Sequence, residues 1–133
     1  MKFNKEKCKV LYLGKSNKKH EYFIGNDGEQ IKLEETDLEK DVGINIEPNL
    51  NFREHIKTTA KKASFVYSKI LKHFTYRDSN ILVPLFKTLV RPILEYSNSV
   101  WNNGLKKYKT MIENVHRKFT KHKRSERRHA IQR

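Results

Sequence analysis

Cysteine, glycine, proline, long apolar runs and negative charge are all scarce in this sequence, and each scarcity excludes something. One cysteine, Cys8, forbids an internal disulfide and suits a reducing compartment. Five glycines and three prolines are too few for a low-complexity or wholly disordered chain. There is no run of ~18 apolar residues, so no transmembrane helix and no membrane insertion are expected. Residues 1–15 carry lysines but no continuous apolar stretch of signal-peptide type. The expectation is therefore an intracellular protein, in cytoplasm or nucleus. Hydrophobic residues make up 36% of the 133, against roughly 45–50% in an average globular chain, so any core is small.

Aspartate and glutamate number 15 against 29 lysines and arginines, a net charge of +14. Such an excess speaks of partners rather than of fold: nucleic acid or an anionic surface. It is unevenly placed. Residues 1–40 hold nine basic and eight acidic side chains, residues 41–104 nine and five, and residues 105–133 eleven and two.

The local signals change along the chain. Lys9–Leu13 is rich in strand formers and stops at Gly14. Glu21–Ile24, the turn residues Asn26-Asp27-Gly28, and the alternating Glu29–Leu33 predict a hairpin. Val42–Ile46 alternates from position 42, and Pro48 ends it. The first ~50 residues thus read as a small antiparallel sheet. From Asn51 the period becomes helical. Ile56, Ala60, Ala63, Tyr67, Ile70, Leu71 and Phe74 form one apolar stripe about 100° wide. Lys57, Lys61, Lys62, Lys69 and Lys72 fall on the opposite side, with Phe65 in their midst. Asp78 is a candidate N-cap for a second helix carrying Ile81, Leu82, Leu85, Phe86, Leu89 and Val90. Pro84 inside it predicts a kink. Pro92 opens another turn, with Ile93, Tyr96, Val100 and Trp101 apolar and Gly104 as the stop. A last helix presents Leu105, Tyr108, Ile112, Val115 and Phe119 on one face and basic residues on the other. Beyond Phe119 the apolar pattern fails. The expected fold class is α+β: a small N-terminal sheet, then a bundle of three to four helices.

The residues argue against most chemistry. Six histidines are scattered, and none pairs with Cys8 at zinc-site spacing. Cys8 reads as a buried structural thiol beside a strand. Glu34-Glu35, the one adjacent acidic pair, reads as a solvated turn rather than a metal site. Nucleic-acid binding remains, through basic helix faces with interleaved aromatics. The candidate contacts are Lys57, Lys61, Lys62, Phe65 and Lys69.

Five segments in order sharpen this. Met1–Val10, Lys40-Asp41-Val42-Gly43-Ile44, Leu50–Ile56, Leu89–Tyr96 with Val100-Trp101, and Ile112–Lys121 resemble segments of reverse transcriptases from non-LTR retrotransposons of the Jockey/LINE type. The resemblance spans residues 1–121. It implies that residues 1–50 are the end of a polymerase palm with primer-grip strands, and residues 51–121 a helical thumb. It implies that Lys7 lies near the nucleotide phosphates and that Val42 and Gly43 belong to the primer grip. Valine at 42 and histidine at 116 stand where the family has leucine and glutamine. The family's catalytic aspartates precede the matched region, so the expectation is a fragment of an RNA-directed DNA polymerase, itself inactive. No cofactor is expected in it, although the full-length family uses magnesium. After Lys121 the family pattern stops, and residues 122–133 are expected to be a basic, disordered tail. The expected partner is an RNA/DNA template–primer duplex. Two alternatives stay open: a free-standing basic nucleic-acid-binding module, and a non-functional translated transposon remnant.

Overall fold

The computed structural model describes residues 4, 7–25, 30–74, 78–102 and 104–131, with side chains as far as His122. The chain divides into two compact units, Met1–Phe52 and Arg53–Arg133. The fold is α+β, strands first and helices after.

Among the described residues the first unit holds six short strands: β1 (Lys9–Val10), β2 (Phe23–Ile24), β3 (Ile31–Lys32), β4 (Glu34–Glu35), β5 (Glu39–Asp41) and β6 (Ile44–Ile46). They form three separate ladders rather than one sheet. The hairpin expected around residues 21–33 is present as β2–β3, with Ile24 opposite Ile31. Its turn residues 26–28 lie outside the described residues. β1 pairs with β4 in parallel, Lys9 opposite Glu34. Glu34-Glu35 is therefore strand, not turn, with both side chains exposed. Cys8 is half-buried and donates its thiol to the Asn4 carbonyl at 3.3 Å, so it is not the fully buried thiol expected. Two-residue strands enclose too little apolar surface to bury it.

The alternating segment from Val42 also resolves differently. β5 and β6 pair antiparallel, Asp41 opposite Ile44, leaving Val42-Gly43 as a two-residue turn. Both have positive φ, 45° and 81°, as a type I′ turn requires. Glycine takes this readily; a β-branched residue does not. Val42 is moreover 75% exposed. Replacing Val42 by Asn should stabilise this hairpin by about 1 kcal/mol. Native-state hydrogen exchange at the Ile44 and Ile46 amides reads it, as slowing of about fivefold.

The second unit is helical: α1 (Arg53–His73), α2 (Ser79–Leu85), α3 (Arg91–Glu95), α4 (Asn98–Trp101) and α5 (Lys106–Ile131). The apolar stripe of α1 faces inward, with Ile56, Ala63, Tyr67 and Ile70 buried. Leu82, Phe86, Val90 and Leu94 meet it, and α5 adds Val115. At the centre Phe86 stacks on Phe119 at 4.2 Å, and Tyr67 stands edge-on to both rings at 6.0 Å.

Asp78 caps α2, its carboxylate accepting the Asn80 N–H at 3.1 Å. The irregularity expected at Pro84 falls later. Phe86–Val90 is a π-helical segment joining α2 to α3, closed by the Arg91 N–H to the Phe86 carbonyl. Pro92 explains its place. Proline has no N–H to give, and its ring would strike the carbonyl four residues back, so the turn before it widens. Tyr96 and Val100 prove exposed, unlike Trp101. Ser97 has φ 50°, which breaks the helix and resets the period between α3 and α4. Trp101 is held by its indole N–H, which donates to the Tyr96 carbonyl at 2.7 Å.

The tail expected to be disordered is helical in its backbone as far as Ile131. Lysine, arginine, glutamate and alanine are good helix formers, and residues 105–131 contain no glycine or proline. Propagation from the packed part of α5 needs no apolar face of its own.

Candidate nucleic-acid interface

The basic front of α1 follows from its period. Residues three and four apart share a face, so burying the apolar stripe turns the lysines to solvent. Lys61, Lys62 and Lys69 are exposed. Phe65 is 61% exposed among them. The Lys69 ammonium lies 5.3 Å from its centroid, a cation–π contact.

Lys57 differs from the others. Its ammonium donates to Glu54 at 2.6 Å, and that bond holds the Glu54 carboxyl below its ordinary value. Part of the Lys57 charge is thus already answered, and it is a weaker anion contact than Lys61. It nevertheless lines, with Lys61, an open cleft of about 430 Å³ between α1 and α5. Lys118 of α5 completes the basic rim, Ser64 and Asn114 add polar groups, and Ala60 and Val115 form the floor. Three lysines from two helices line one groove, so a phosphate seated there meets positive charge from both sides.

Sequence reading missed Lys118. Its signal was present, because Met111, Asn114 and Lys118 share a face beside the apolar stripe of α5. Using it required knowing that this face lies along α1. Of the residues assigned by resemblance, Lys7 is exposed, its N–H donating to the Asn4 carbonyl at 3.1 Å. Val42 and Gly43 form the tip of the β5–β6 hairpin. Among the described residues no group of three or more His, Cys, Asp or Glu side chains is placed to hold a metal ion. None of the helices there is long and apolar enough to cross a membrane.

Below the front lies a buried histidine. His55 is 6% exposed, with its ring 5.8 Å from that of Trp101. Burial pushes its pKa below the ordinary 6.5, so the folded form favours the neutral ring. The unfolded chain takes up the proton first as pH falls. Stability should therefore decline below about pH 6.5 and level off once the lower folded pKa is passed. Urea melts at about pH 7.5 and pH 5 measure this, and His55→Gln should weaken the pH dependence.

Scans against protein-family models, curated proteins and solved structures each return no match to this chain.

Proposed function

We propose that this chain binds nucleic-acid duplex as the primer-grip and thumb portion of a reverse-transcriptase-like protein of a mobile element. The observation that carries the binding is the lysine-rimmed cleft of Lys57, Lys61 and Lys118, continuous in sequence with the exposed lysines and Phe65 of α1. A groove of this kind follows a phosphate backbone by charge and shape, without reading bases. The polymerase ancestry rests on the five sequence segments. Ile56, Val90, Leu94, Trp101 and Val115, all from those segments, are buried. Such positions preserve a fold, while the α1 lysines that would touch a ligand lie outside the segments. The strained, exposed Val42 fits a functional tip, since backbone strain concentrates at functional sites.

The test is fluorescence anisotropy with an RNA/DNA hybrid and with single-stranded RNA of equal length. A thumb origin predicts tighter binding to the hybrid. Equal affinity for both would favour the alternative, a generic basic surface without polymerase ancestry.

A further inference from the structure

A second cleft lies on the other flank of α5. It has about the same volume, 430 Å³, and a different chemistry. Its floor is Ile56 of α1 and the buried Trp101 of α4. Tyr108 and His116 of α5 add two further rings to its lining. Asn98 and Asn102 bring amide side chains, each with donors and an acceptor. Lys109 supplies a cation, and Glu113, the one carboxylate in the lining, lies 3.6 Å from the Arg117 guanidinium. This volume suits a small planar molecule, and pockets of this size with few convergent polar groups are the usual ligand sites.

We propose that this cleft takes the base of a single unpaired nucleotide. Aromatic walls accept the faces of a heteroaromatic ring, amides accept and donate at its edge, and Lys109 meets its phosphate. An aliphatic side chain of a protein partner would leave the amides and the ammonium without use. The proposal rests on the nucleic-acid reading and deepens it: the basic cleft on one flank of α5 holds backbone, and the aromatic cleft on the other holds an extruded or overhanging base.

The chain contains one tryptophan, so Trp101 reports on this cleft directly. Three hybrids are compared: blunt, with a one-nucleotide adenine overhang, and with an abasic overhang of equal charge. Binding is followed by anisotropy of a dye on the hybrid, and occupancy by Trp101 emission. The adenine overhang should quench Trp101 and bind about tenfold tighter than the abasic one. Tyr108→Ala should abolish that difference while leaving the blunt hybrid bound, and a circular dichroism melt of this variant confirms that it is folded. Equal binding of the three hybrids with unchanged Trp101 emission would overturn the base pocket and leave the duplex reading standing. Absence of binding by all three at low salt would overturn both.

Discussion

Replacing Lys61, Lys62, Lys69 and Lys118 together by alanine is expected to weaken hybrid binding by about a thousandfold at ~0.1 M salt. The cause is counterion release. Each phosphate neutralised by a lysine contributes about 0.9 to the slope of log affinity against log salt, worth nearly tenfold at ~0.1 M. Removing three or four such neutralised phosphates at once gives the figure. The slope itself should fall by about three. Lys57 is left out because Glu54 already engages it. A control set, Lys9, Lys15 and Lys18 to alanine, removes comparable charge from the first unit and should change affinity far less. The four lysines of the helical unit are exposed and outside the core, so the fold should tolerate their loss.

Truncating Phe86 to alanine is expected to cost the helical unit about 3–5 kcal/mol. Phe86 is 4% exposed and touches three rings: it stacks on Phe119, meets Tyr67 edge-on, and lies 5.5 Å from His116. The cost combines the transfer of a phenyl ring to water, the cavity left behind and the aromatic interactions. Small domains have only about 5–15 kcal/mol of total stability, so much of this unit's margin would go. Urea unfolding followed by circular dichroism measures it. Phe86→Leu, which keeps most of the volume, should cost clearly less. Equal costs for the two would mean that the ring contacts, which both variants lose, outweigh the filled volume.

These two experiments touch parts of the molecule that differed in how openly the sequence displayed them. The face of α1 was legible because a packed helix must repeat its apolar residues at 3.6, and Ile56, Ala63, Tyr67 and Ile70 do so over four turns. The Asp78 cap was legible because a carboxylate before a helix has one local task. Where two rules competed, the sequence misled. Val42–Ile46 alternates like a strand, yet Gly43 and the pairing of Asp41 with Ile44 turn its first two residues into a hairpin tip. Tyr96 and Val100 match a helical period that Ser97 interrupts. Non-local features were the least accessible. The parallel pairing of β1 with β4 joins residues far apart in the chain, and neither cleft beside α5 exists until α1 and α5 meet. Lys118 and Tyr108 become site residues only through that packing.

The high net charge invites a simpler explanation, in which the densest basic stretch, after Lys121, does the binding by itself. Lysine footprinting separates the two. The folded chain is acylated with and without a saturating RNA/DNA hybrid, and modification at each lysine is read by mass spectrometry. If the duplex lies along α1 and α5, Lys61, Lys62, Lys69 and Lys118 are strongly protected, and Lys9, Lys15 and Lys18 change little. Protection confined to Lys121 and Lys123, with the α1 lysines modified as fast as in the free protein, would rule that interface out.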